Sequence, residues 1–386
     1  MPSRTERSLF ADWWWTVDRL TLACLIVLML AGVVFLMGGG PPVAERLGLS
    51  PFHFVHRQML WLFAAGMVML ATSFLSPRHI RRTALLIYVV FMALVVATLF
   101  FGAEVKGARR WIVLFGQNIQ PSEFVKPAFV ILAAWAFSEG ARRPEMPGAV
   151  LGVLLLPMTI APLVMQPDIG QTMLLSMVWA ALFYLAGLHM FWVFGLGGAG
   201  AGGLVLAYFF FPHVTARVNR FLDKANAGGD TFQVDTAVDS FVSGSWFGKG
   251  PGEGTIKRIL PDSHTDFLFA VTGEEFGIAV CLALVALFAI IVARALWMAR
   301  RNEDPFCRFA AAGLTMLFGL QAAINMSVNL HLIPPKGMTL PFISYGGSSL
   351  LSLALGMGFL LASTRRRPRA EIDAPMGATF LHRAPA

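Results

Sequence analysis

The apolar positions of this chain gather into long runs separated by short polar stretches, with neither the strict alternation of strands nor the single stripe of a soluble amphipathic helix. Ten runs come near the ~20 residues a helix needs to cross a bilayer: 19–38, 58–76, 83–102, 123–139, 149–165, 169–187, 190–211, 267–293, 307–330 and 342–363. The pattern predicts an all-α polytopic membrane protein with ten transmembrane helices, a single membrane domain over 1–386. The first run, Leu20 to Met37, ends in GGGPP rather than a small-residue cleavage site and is followed by further spans. It reads as a retained first helix, not a signal peptide.

An even number of spans leaves both termini on one side, and arginines decide which. Arg78, Arg81 and Arg82, then Arg142 and Arg143, then Arg294, Arg300 and Arg301, and finally Arg365, Arg366, Arg367 and Arg369 fall in alternate connections. The positive-inside rule makes that side cytoplasmic. Residues 1–18 and 364–386 are then cytoplasmic, and 212–266, between the seventh and eighth spans, is one long extracytoplasmic loop. Within it VDTAVDSFV places Asp235 and Asp239 one helical turn apart with Val238 and Val242 opposite, as in a helix lying on the membrane surface. Trp13, Trp14 and Trp15 ahead of the first span suit an interfacial anchor.

Composition agrees: 56% of the 386 residues are hydrophobic and 13% charged, with a mean hydropathy of +0.67. The net charge of +8 arises from the cytoplasmic arginine clusters, so nucleic acid is not an expected partner. Three cysteines, Cys24, Cys281 and Cys307, have no ligand-like spacing and support neither a disulfide framework nor a zinc site.

The cations that break the positive-inside pattern carry the chemistry. Lys106, Arg109 and Arg110 lie in KGARRWIVLFGQNIQPSEFVK on the outer side, joined by Arg57 at the start of the second span and Lys336 before the tenth. Guanidinium forks suit bidentate phosphate binding, and an anionic ligand outside the cytoplasm accounts for the set. Lipid headgroups are the plainer alternative. Glu123 and Lys126, three apart on one helical face, suit an ion pair, and Ser122 can help start their helix. In MQPDIGQT, Asp168 either caps a helix or serves a site. LPFISYGGSSL, with Ser344 and Ser348, can form a broken helix start or a close-packed contact, and GLGGAGAGG at 195–203 a packing surface. LPDSHTDFLFAVTGEEFG sets Asp266 at the mouth of the eighth span, with His264 and Thr265 as substrate contacts or caps. Helical geometry turns Glu275 almost opposite Asp266 and Glu274 to an intermediate angle, which suits support, through packing or pairing with basic groups, rather than an acid/base pair.

GARRWI, QPSEFVK, QPDIG, LP-x-x-HTDF-x-x-x-x-x-x-EE-x-G and LPFISYGGSS, in that order, resemble the SEDS family of bacterial shape, elongation, division and sporulation proteins. PPKGMTLPFISYGGSS, with lysine before its glycine, and RVNRFLD are more similar to the division branch than to the elongation branch. GSWFGKG at 244–250 and NLH ending at His331 depart from the family's usual GGWFGKG and NLG.

The resemblance implies a peptidoglycan glycosyltransferase that polymerises lipid II into β-1,4 glycan at the outer face of the cytoplasmic membrane. Asp266 would be its catalytic base. Arg57, Lys106, Arg109, Arg110, Gln120, Ser122, Lys126, His264, Thr265, Lys336, Ser344 and Ser348 would bind substrate, with Glu123, Asp168, Glu274 and Glu275 in support. Lipid II, an FtsI-type class B penicillin-binding protein and other divisome membrane proteins would be partners, at the septum. No cofactor is certain; a divalent cation, Mg²⁺ or Mn²⁺, could be held by Asp168 or other carboxylates. A lipid II flippase, an elongation-type polymerase and a recruiting scaffold stay open as alternatives.

Overall fold

The computed structural model describes residues 8–365 except 106–107, 115, 144, 188–189, 211–214, 216–218 and 220–229. Its helices are Leu9–Thr16 (α1), Arg19–Arg46 (α2), His53–Ser73 (α3), Pro77–Phe101 (α4), Pro121–Arg142 (α5), Gly148–Met165 (α6), Ile169–Leu185 (α7), Met190–Phe210 (α8), Asp230–Gly244 (α9), Leu268–Arg300 (α10), Pro305–Asn329 (α11) and Gly347–Thr364 (α12). Among the described residues eight helices are long and apolar enough to cross a membrane: α2 to α6 and α10 to α12. α7 is apolar but shorter, and α8 occupies the stretch where the seventh span is expected.

The core is apolar, and so is much of the exterior. α12 and α11 are buried along most of their length and α5 over much of its own, whereas α3, α4 and α6 turn Leu60, Phe63, Leu86 and Met158 outward. Such an apolar exterior is what a hydrocarbon solvent permits, since the backbone of each helix is satisfied within itself.

Three departures from the sequence pattern have local causes. First, α2 continues through Pro41 and Pro42 to Arg46. It does so while packed on α10: a Cβ on Gly38 would run into the Glu275 carboxylate, and one on Gly39 would lie 2.6 Å from Leu268. Second, the molecule is not wholly helical. Ala103–Val105 (β1), Ala108–Leu114 (β2) and Gln117–Ile119 (β3) form a small antiparallel sheet in the order β1-β2-β3. The β-branched and aromatic run Trp111, Ile112, Val113 suits a strand, and Gly116, at φ 72°, supplies the turn. Third, α9 buries Val234, Ala237 and Phe241 and leaves Val242 exposed, so its inner face is rotated from the expected Val238–Val242 face.

α10 is broken at Gly277 (φ 82°, ψ 172°), and the break is filled by the loop after α9. Lys249 and Gly250 N–H donate to the Glu274 and Glu275 carbonyls at 2.9 and 3.0 Å, while Ile278 and Ala279 N–H donate to the Ser245 and Trp246 carbonyls at 3.0 and 3.2 Å. Both cut ends of the helix are thereby capped, which a break at membrane depth requires. A Cβ on Gly277 would collide with the Trp246 carbonyl.

Candidate active site

The N-terminal ends of α3, α5, α7, α10 and α12 meet at one end of the bundle around a cavity of about 930 Å³. Each helix brings the positive end of its dipole to that end. Arg57 reaches it from α3, Arg110 from β2, and Gln120 and Glu123 from the start of α5. Asp168 stands at the N-cap of α7, His264, Thr265 and Asp266 precede α10, Lys336 comes from the approach to α12 and Ser348 from its first turn. Gln233 and Val234 of α9 line the same space, so the long loop contributes a wall.

Asp266 is held through its backbone. Its carbonyl accepts hydrogen bonds at 2.9 Å from the side-chain amides of both Asn325 and Asn329 on α11. Asn325 also donates to the Met338 carbonyl at 2.6 Å, strapping the turn before α10 to the segment carrying Lys336. The result is close approach: a Cβ on Gly337 (φ 66°) would sit 3.9 Å from Asp266 Oδ2. Asn329 Oδ1 accepts from Ala270 N–H at 3.1 Å, so an amide rather than a carboxylate serves that helical donor.

Arg110 and Arg109, adjacent in sequence, part company because successive strand residues face opposite sides. Arg110 donates to the carbonyls of Gln166, at 3.2 Å, and Pro167, and its Nη1 lies 3.8 Å from Asp168 Oδ1. Arg109 points away to an exposed pairing with Glu104 at 3.5 Å. Asp168 also accepts from Gln120 Nε2 at 3.4 Å and from Gln171 N–H at 3.4 Å, combining cap and cavity wall. Burial pushes its carboxyl above the usual carboxylate range, against the pull of Arg110. Gly170 lets this corner close on Lys336, whose carbonyl would lie 3.1 Å from a Cβ there. Arg57 donates to Gln117 Oε1 of β3.

Other expected contacts lie behind the cavity wall. Lys126 is buried, 2.9 Å from Glu123 and 3.0 Å from Gln321 Oε1, and Gln321 donates to the Thr339 carbonyl at 3.1 Å. Ser122 accepts from Gln120, and Ser344 accepts from Leu340 N–H at 2.9 Å. Glu274 and Glu275 lie at the break in α10, off the cavity. Glu274 accepts the backbone N–H groups of Thr255, Ile256 and Lys257 at 2.7, 2.8 and 3.0 Å, and Glu275 pairs with buried Lys257. Lys106 and RVNRFLD at 217–223 lie outside the described residues, apart from Asn219. Asn325, Asn329, Gln321 and Lys257 did not stand out in the sequence, since a lone amide or lysine has no local signature there.

Among the described residues no three His, Cys, Asp or Glu side chains come close enough to cage a metal ion. Asp168 and Asp266 line the cavity together with Glu123 and Asp262.

Fold and site together define a multi-helix membrane protein with a cavity lined by Arg57, Arg110, Lys336 and several carboxylates at one end of its bundle. The model of the FtsW, RodA and SpoVE family, described as cell cycle protein, matches residues 18–368, and the chain belongs to that family. It is similar to the probable peptidoglycan glycosyltransferase FtsW of Caulobacter vibrioides, 45% identical over 95% of this chain and 94% of that one. The protein of the same name from Aliivibrio salmonicida is 33% identical over 89% of this chain and 88% of its own. Among solved structures, a chain of a peptidoglycan synthase complex that coordinates polymerization and crosslinking superposes with a TM-score of 0.74. It is 25% identical, covering 90% of this chain and 97% of that one. The rod shape determining protein RodA of Thermus thermophilus shares the fold with a TM-score of 0.68 at 24% identity, over 91% of this chain and 97% of its own.

Proposed function

We propose that the chain is a peptidoglycan glycosyltransferase that polymerises lipid II into β-1,4-linked glycan at the outer face of the bacterial cytoplasmic membrane during division. Family membership and the activity named for its relatives support the class of enzyme. One observation carries the mechanism: Asp266, Arg110 and Lys336, remote in sequence, line a single cavity at the ends of the helices.

An α-linked glycosyl pyrophosphate becomes a β-glycoside by one inverting displacement. The acceptor's 4-hydroxyl oxygen attacks the donor C1 while Asp266 takes the hydroxyl proton as general base. The bond from C1 to the pyrophosphate oxygen breaks, and the lipid pyrophosphate leaves with the electron pair. Arg110, Lys336 and Arg57, helped by the converging helix dipoles, meet the charge that develops there. A divalent ion arriving with the pyrophosphate would be held by Asp168 or Asp266 and would add to that neutralisation.

Convergence of five helix N-termini at one end of the bundle supports ten crossings with both termini on one side, and the arginine clusters in the connections of that side support its being cytoplasmic, with the loop outside. The similarity to a chain of a peptidoglycan synthase complex supports a class B penicillin-binding protein of the FtsI type as partner. Identity to FtsW-named relatives of up to 45%, against 24% to RodA, favours the division role, with septal placement and contacts to other divisome membrane proteins. The test is the purified chain with that partner and fluorescent lipid II: glycan strands are expected. Transbilayer movement of lipid II without polymer would instead make the cavity a flippase pathway.

A further inference from the structure

His331, just after α11, has φ 57°, a left-handed backbone that glycine adopts freely and that, among residues with side chains, asparagine, aspartate and histidine adopt most often. The imidazole carried at this position reaches across to α9. Its Nδ1 lies 3.2 Å from Asp235 Oδ1 on α9. The ring is only 10% exposed, whereas the Asp235 side chain is 56% exposed, so the histidine sits in the protein and reaches outward to hold the acid.

The placement of this pair gives it a function. Asp235 follows directly on Gln233 and Val234, the two α9 residues that line the cavity, and His331 lines the cavity itself. On the other side His331 is two residues from Asn329, whose amide fixes the Asp266 carbonyl, and five from Lys336. We infer that the His331–Asp235 contact is a clasp that fixes the N-terminal half of α9 as a wall of the cavity, making His331 a positioning residue for the lipid-linked substrate. The clasp joins the long loop to the connection that carries Lys336. It acts on how substrate is held, not on proton transfer. This rests on the polymerase reading only for the identity of that substrate.

The left-handed backbone supplies a clean test, because His331→Gly removes the side chain while keeping a residue that accepts φ 57°. In the full chain, hydrogen exchange of amides 233–241 is expected to quicken in His331→Gly and in Asp235→Ala, with no further change in the double variant. With the class B partner and fluorescent lipid II, each variant is expected to raise KM about 2–10-fold, the span of an ordinary intramolecular hydrogen bond, with kcat held within twofold. Unchanged exchange of 233–241 would overturn the clasp. A fall in kcat at constant KM would overturn the positioning role. If wild-type protein made no polymer, the exchange experiment would still decide the clasp while the failure lay with the polymerase reading.

Discussion

At the scale of single residues, the site depends on which side of a short strand a guanidinium faces. Arg109 and Arg110 look equivalent in GARRWI, yet one lines the cavity and the other pairs with Glu104 in solvent. Arg110→Ala is expected to lower kcat/KM for lipid II by about 100-fold, in the range of losing one donor that stabilises transition-state charge. Arg109→Ala is expected to stay within about threefold, because an exposed ion pair contributes little. Initial polymerisation rates of the two variants check both. The sequence made the cationic character of this segment legible through its violation of the positive-inside pattern. It could not choose between the two arginines while the segment was read as a loop, since only a strand makes neighbours face opposite ways.

Among the elements, α10 is where the sequence was least transparent. An apolar run that looks like one long helix is two, joined at Gly277 and plugged by the loop from Gly244 to Gly250. Glycines in EEFG and GSWFGKG were the local trace, because the plug is made of backbone hydrogen bonds and needs particular residues only at Gly244, Gly248 and Gly277, where a Cβ would collide with a facing carbonyl. Gly277→Ala meets both a left-handed φ and the Trp246 carbonyl, so it is expected to lower the melting temperature in detergent by several degrees, a cost of about 2–4 kcal/mol. A melting temperature equal to wild type would mean the plug is not needed. At the far end of α10, Arg294 makes three hydrogen bonds to Asp18, the N-cap of α2, at 2.9 to 3.3 Å. Burial raises the Asp18 carboxyl, but its bonds to Arg294 and Thr21 outweigh that and leave it below its ordinary value of 3.8. A depressed acid stabilises the folded state above its unfolded pKa, and that contribution is lost as pH falls through the folded value. Asp18→Asn is therefore expected to be less stable than wild type at pH 7 by about 1–3 kcal/mol, read from unfolding, with the gap closing below pH ~4. A gap that does not depend on pH would exclude this linkage.

For the molecule as a whole, apolar run length alone located the helices to within a few residues at most ends, because hydrocarbon leaves the backbone few other options. The site was legible as a set of charges on one side but not as a cavity, since its geometry comes from long-range straps such as Asn325 to Asp266 and Met338. The orientation has its own check. A cysteine replacing exposed Val242 is expected to react with a membrane-impermeant maleimide from outside intact spheroplasts, and one replacing exposed Glu303 only after lysis. The reverse order would invert the topology and move the cavity to the cytoplasmic face. Everything then converges on Asp266. The most direct measurement is polymerisation of fluorescent lipid II by wild type and Asp266→Asn, each with the class B partner and matched for lipid II binding. Loss of at least about 100-fold in kcat with binding retained is expected of a general base, whereas polymerisation at the wild-type rate would contradict that role.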